Sequence, residues 1–131
     1  MTLAPQLAAI EDRIREQGLH VGARATYPYV LVYPSTPMRS SMSMADRREA
    51  TSVTFNTLAV ADDRDICVQV VDRLDAALGS WRPAVAGRMA WKVDHTWSRP
   101  VGKSEELADR DVWEAADTWV LLSVPAPVTT P

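Results

Sequence analysis

At 131 residues the chain has the length of one domain, and its 47% hydrophobic and 24% charged residues predict a normal buried core. A single cysteine excludes an internal disulfide, and no apolar run approaches the ~20 residues of a membrane-spanning helix, so we expect a cytoplasmic protein without membrane contact. A net charge of −3 argues against a protein that grips nucleic-acid phosphates, because such proteins usually carry a basic excess.

The chain begins with a predicted helix and a predicted strand. Thr2 suits the N-terminal cap of the helix and Gly18 suits its end. The apolar residues between them recur at helical spacing, namely Leu3, Leu7, Ile10 and Ile14. Segment 27–33, which is rich in β-branched and aromatic residues, then predicts a strand. Because one stripe of the helix is apolar, we expect it to lie against the rest of the domain.

A stretch without apolar periodicity, residues 34–48, separates this strand from the next one at 51–61. It contains two prolines, four serines and three methionines and ends in a charged run. We predict a long exposed loop between two strands. Loops of this length without structure of their own are uncommon unless they have a function.

The clearest predicted element is a helix over 62–78. Within its acidic start, Asp62 suits the N-cap, while Asp63 and Asp65 suit the positive end of the helix dipole, and Gly79 ends the helix. The broad apolar face predicts that the helix packs flat against a sheet. The expected contacts join Ile66, Val70, Leu74 and Leu78 to Leu31, Phe55 and the run 119–122.

The last third of the chain predicts a hairpin with a large loop. Apolar and polar residues alternate over 89–97, and 113–124 contains the strongest apolar run of the chain. Between them, 98–111 is polar and carries both signs of charge. The order α-β-β-α-β-β predicts an α+β fold, with a mainly antiparallel four-stranded sheet and two helices on one face. We expect one domain over 1–124 and an extended proline-rich tail over 125–131.

No catalytic or metal site is predicted. His95 and Asp94 are neighbours on a strand, so their side chains should point to opposite faces of the sheet. His20 has no nearby ligand in the sequence, and Cys67 falls on the apolar side of the second helix, where it serves as a small hydrophobe. We therefore expect a protein that is not an enzyme and that needs neither a cofactor nor a metal ion.

The two long loops are the candidate interface. Methionine adapts to irregular surfaces and arginine makes forked contacts with carboxylates, so their mixture in the first loop suits docking to another protein. The residues assigned to this interface are Met38, Arg39, Met42, Met44, Arg47 and Arg48 in the first loop and Lys103, Glu105, Glu106 and Arg110 in the second.

The pattern as a whole resembles the tail terminator proteins of long, non-contractile-tailed phages. The resemblance is carried by a strand that runs into a proline-containing loop at 32–40, an Arg/Glu-flanked strand at 47–55, an acidic cap and helix at 62–83, and a closing hairpin with a proline-rich tail. It implies a homo-oligomeric ring, a hexamer in such families, at the head-proximal end of the tail tube. The ring would contact the tube protein and the head-side connector, and DNA would pass through its lumen.

Three other interpretations remain open from the sequence. The chain resembles, in part, other neck or head-completion subunits of the virion. A small non-viral ligand-binding or regulatory domain could use the apolar underside of its sheet. An enzyme with an unrecognised site is the third alternative, and the oligomeric state of the purified chain would help to separate these classes.

Overall fold

The computed structural model describes residues 4–24, 26–34, 38–41, 49–85, 87–104 and 111–125. Within these ranges there are two helices, α1 (Ala4–Glu16) and α2 (Arg64–Leu78), and all the strands belong to one sheet. The strands are β1 (Tyr29–Pro34), β2 (Met38–Ser41), β3 (Glu49–Ala61), β4 (Arg88–Ala90), β5 (Asp94–Lys103) and β6 (Trp113–Pro125).

The centre of the sheet is the antiparallel pair of its two longest strands, β3 and β6. Their register runs from Thr51 opposite Ser123 to Ala61 opposite Trp113. On the outer side of β3 lie β1 and β2, and on the outer side of β6 lie β4 and β5, all antiparallel to their neighbour. The predicted α+β class with a mainly antiparallel sheet is therefore confirmed, and two short strands join the four expected ones.

The short strands correct two predicted boundaries. β2 lies inside the segment predicted as a continuous loop, and the predicted strand 89–97 is divided into β4 and β5. β5 also continues to Lys103, well into the predicted second loop, with irregular pairing between His95 and Trp97. These segments pair because the long central strands offer free backbone groups along their edges. Side-chain periodicity in the sequence does not predict this pairing, because backbone groups make it.

Local signals explain where the helices begin and end. Asp63, one residue later than predicted, caps α2 by accepting hydrogen bonds from the backbone N–H groups of Asp65 and Ile66 at 2.8 and 3.2 Å. Gly79 closes that helix and donates to the carbonyl of Asp75 at 2.8 Å. Gly18 follows α1 with a φ of 78°, a left-handed conformation that glycine adopts readily.

The core lies between the helices and one face of the sheet. α2 packs directly on β3 and β6, and α1 packs beside α2. The fully buried side chains include Ile10, Ile14, Phe55, Leu74, Leu78, Trp119 and Leu121. The indole N–H of Trp119 donates to the Thr57 hydroxyl at 3.0 Å, which satisfies a polar group inside the core.

Some of the predicted core contacts are wrong. Ile66 is 37% exposed at the first turn of α2. Leu31 pairs with Leu58 on the opposite face of the sheet, and Val120 and Leu122 also face away from the helices. The cause is the two-residue period of a strand, which sends alternate members of one apolar run to opposite faces.

Leu74→Ala is expected to lower the free energy of unfolding by ~2–5 kcal/mol, because Leu74 is fully buried and its loss leaves a cavity beneath α2. The exposed residue Asp72 on the same helix supplies the control, and Asp72→Ala should change stability by less than ~0.5 kcal/mol. Urea denaturation followed by circular dichroism measures both. Equal stability of the two variants would show that α2 does not pack as described.

Candidate protein interface

The structure places only part of the predicted first-loop interface. Met38 and Arg39 belong to β2, where they pair with Ser52 and Thr51 of β3. The other four residues lie outside the described part of the chain, namely Met42, Met44, Arg47 and Arg48. β2 brings Met38 and Arg39 to an edge of the sheet, and their role in docking stays a prediction.

In the second predicted loop, Lys103 is the described member of the set. It ends β5, with its Nζ 3.2 Å from a carboxylate oxygen of Asp111 and 5.8 Å from the centre of the Trp113 ring. Lys103 and Asp111 are both well exposed, so their ion pair contributes little to stability. Glu105, Glu106 and Arg110 lie outside the described residues.

A surface that the sequence analysis did not assign is the face of the sheet turned away from both helices, here called the open face. Its central side chains alternate with the buried ones and come from β3 and β6, namely Ser52, Thr54, Asn56, Leu58, Ala116, Thr118, Val120 and Leu122. Two aromatic residues at its margins are more than half exposed, Tyr33 at 52% and Trp97 at 56%. Aromatic residues on an accessible sheet face are typical of protein interfaces.

Next to the open face lies a depression of about 300 Å³, here called the Trp91 groove. Its walls are Arg82, Pro83, Arg88, Met89, Ala90 and Trp91. Met89 is 49% exposed and Trp91 is 37% exposed, although both are large apolar side chains. Trp91 also borders a second depression that reaches Val120 and Leu122 on the open face, so the two surfaces are continuous. The signal in the sequence that could have indicated the Trp91 groove is the presence of five tryptophans against one phenylalanine, because tryptophan is enriched at protein interfaces.

His95 has a partner that sequence reasoning missed. Its Nε2 lies 2.9 Å from a carboxylate oxygen of Asp117 on β6, and its ring lies 4.5 Å from the Trp119 ring centre. Asp94 and His95 face Val120 and Trp119 in the register, so they point to opposite sides as predicted. The Asp117 side chain is only 6% exposed, and the imidazole therefore supplies a hydrogen bond to a buried carboxylate.

Cys67 lies in the core as predicted, with its Sγ 3.8 Å from the carbonyl oxygen of Ala59. Burial, with a smaller contribution from the charge of Glu114, raises the pKa of the Cys67 thiol from 9.0 to about 11. The neutral thiol is therefore the form that the fold favours. The raised pKa stabilises the folded state because the folded chain holds the thiol proton more tightly. This stabilisation is complete below about pH 9 and is lost as the pH rises towards 11.

Within the described ranges, no three His, Cys, Asp or Glu residues come together in a group that could hold a metal ion. None of the helices in those ranges is long and apolar enough to cross a membrane. His20 is exposed and lines a pocket of about 240 Å³ together with Arg24 and Arg73.

His95→Ala is expected to destabilise the fold by about 1–3 kcal/mol, because it removes a hydrogen bond from the buried Asp117 carboxylate. His95→Gln, whose amide retains a donor, should lose less. The matched control is Asp94→Asn, at an exposed position on the opposite side of the same strand, and it should change stability by under ~0.5 kcal/mol. Urea unfolding measures all three. A His95→Ala protein as stable as the control would show that the pair has no structural role.

Cys67 in the folded chain should resist alkylation by iodoacetamide at pH 8 and react fully in urea. With the pKa raised to about 11, only about a thousandth of the thiol is ionised at that pH, and the sulfur is fully buried. Mass spectrometry after timed labelling gives the rate in each state. Equal rates in the folded and unfolded chain would contradict the position assigned to Cys67.

Comparison with known proteins shows a likeness in fold to solved structures. No protein-family model and no curated protein matches the chain. Among solved structures, the chain is similar to a chain of the "Virion of native gene transfer agent (GTA) particle", with a TM-score of 0.71 and 11% sequence identity. The match covers 95% of this chain and 100% of that chain. At this level of identity, the likeness establishes a shared fold over essentially the whole domain.

Proposed function

We propose that the chain is a virion structural protein of a phage or phage-like particle, and that it is the tail terminator. The observation that carries the proposal is the shared fold with a chain of the gene transfer agent virion, which extends over both chains almost completely. The resemblance of the sequence to tail terminators supports the proposed position within the particle. In this role the chain forms a ring that stops polymerisation of the tail tube.

The described surfaces suit a subunit that contacts several partners. A ring subunit needs two different surfaces for its two neighbours, because the contact is head-to-tail. The sheet has two different edges, one formed by β1 and β2 and the other by β4 and β5. The open face and the Trp91 groove add apolar area beyond these edges. Such area is needed because a stable contact buries about 800 Å² on each partner.

The proposed partners are further copies of the chain, the tail tube protein and the head-side connector or stopper protein. The terminator resemblance suggests six copies in the ring. DNA would pass through the lumen without being held, and the net charge of −3 suits that passage because an acidic ring repels phosphates. The finished ring would belong to the neck region of the virion, after assembly in the host cytoplasm.

The first loop provides the sharpest test of this proposal. Ser41 pairs with Glu49, so the intervening residues 42–48 can be replaced by Asn-Gly, a two-residue turn that fits an antiparallel pair. We expect a folded chain that does not cap tails, because four of the six interface residues assigned to the first loop are gone, namely Met42, Met44, Arg47 and Arg48. The control is Asp12→Ala on the exposed side of α1, which should support normal tails.

The measurement is tail length by electron microscopy, in particles whose only copy of the gene is the variant. The loop variant should give tails of uncontrolled length without heads, as should deletion of the gene. Normal tails from the loop variant would make the interface assignment wrong. Normal-length tails that lack heads after gene deletion would identify another neck subunit, and normal virions after deletion would contradict a virion role.

A further inference from the structure

The described part of β6 ends next to the Trp91 groove. Pro125, the last described residue, lies opposite Arg88 in the pairing of β6 with β4. Arg88 is also part of the wall of the Trp91 groove. Pro125 therefore lies beside this groove. The sequence that follows it is Ala-Pro-Val-Thr-Thr-Pro at 126–131, here called the proline segment.

The direction of β6 makes Trp91 of the same chain hard to reach for a segment that follows Pro125. Along β6 the backbone passes Trp91, whose N–H bonds to the carbonyl of Leu122, and then runs past Ala90 and Met89 to Arg88. At Pro125 the described strand is therefore directed away from Trp91. Two prolines and three β-branched residues favour an extended backbone, which rises about 3.1 Å per residue in the polyproline conformation. Reaching its own Trp91 would require a sharp reversal.

The chemistry of the groove suits an extended, proline-rich occupant. Trp91, Met89 and Pro83 supply apolar surface, and grooves lined by aromatic residues are the usual receptors for polyproline segments. Arg82 lies in the same wall, where its N–H groups can donate to backbone carbonyls of an extended segment. A polyproline backbone makes no hydrogen bonds of its own, so its carbonyls need such donors.

We propose that the proline segment of one copy lies in the Trp91 groove of an adjacent copy. The segment and the groove are different surfaces of one chain, so the contact is head-to-tail and can close a ring. This inference deepens the proposed function and rests on it only for the closure of the ring. The contact between two copies follows from the residues named here.

Peptide binding tests the groove directly. The receptor is the full-length chain with Pro127→Gly, Val128→Ser and Pro131→Gly, which removes both prolines and the valine of its own segment. The ligand is a synthetic peptide of residues 125–131, titrated by calorimetry. We expect saturable binding that falls at least about tenfold when Trp91→Ala is added.

Trp97→Ala is the matched control for the peptide titration, because Trp97 is an exposed tryptophan outside the groove and should leave the affinity unchanged. Met89→Ser provides a second groove variant at a half-exposed position, and it should also weaken binding if the Trp91 variant fails to fold. No binding, or equal binding to the groove variants and the Trp97 control, would overturn the proposal.

The unmodified chain decides between exchange and self-occupation. If the segment lies in the groove of an adjacent copy, native mass spectrometry should show oligomers of the unmodified chain that neither the Trp91→Ala chain nor the segment variant forms. A monomeric unmodified chain whose groove does not bind added peptide would mean that the segment occupies its own groove, against the proposal. Oligomers that both variants also form would overturn it as well. Because only purified chain is used, either outcome is independent of the tail-length experiment.

Discussion

The pairing of β3 with β6 is the constraint on which the other features depend. Both strands have 13 residues, and their register is continuous from Thr51–Ser123 to Ala61–Trp113. Because strand side chains alternate, this register sends Phe55, Trp119 and their same-side neighbours under the helices and the intervening residues to the open face. A shift by one residue would exchange the two sets, and the core under α2 would be lost.

The same register places polar groups at defined points in the core. Thr57 lies opposite Asp117, so one accepts the indole N–H of Trp119 while the other binds His95. Buried polar groups are costly unless they are satisfied, and these pairs therefore favour one register over its neighbours. On the other side of the sheet, the alternation leaves the open face and the adjoining Trp91 groove accessible. One strand pair thus supports both the stability of the domain and the surfaces proposed for assembly.

The periodicity of apolar residues in the sequence predicted the elements that bury a continuous stripe of apolar side chains. The face of α2 and the class of the fold were predicted because many side chains repeat one pattern. The short strand β2 and the His95–Asp117 pair could not be predicted, since each depends on register between distant parts of the chain. The Trp91 groove could not be predicted either. In the sequence, Met89 and Trp91 alternate with polar or small residues like members of one strand, but in the structure β4 ends at Ala90 and Trp91 lies beyond it. The interface residues in the two loops remain predictions from composition.

The proposed function requires that this domain assembles with copies of itself through the surfaces that the sheet leaves accessible. Light scattering after size-exclusion chromatography, over a range of concentrations, measures the mass of the purified full-length chain. We expect a discrete closed assembly several times the mass of one chain, with electron micrographs showing rings around an open lumen. A monomer at every concentration, with and without tail tube protein, would contradict it.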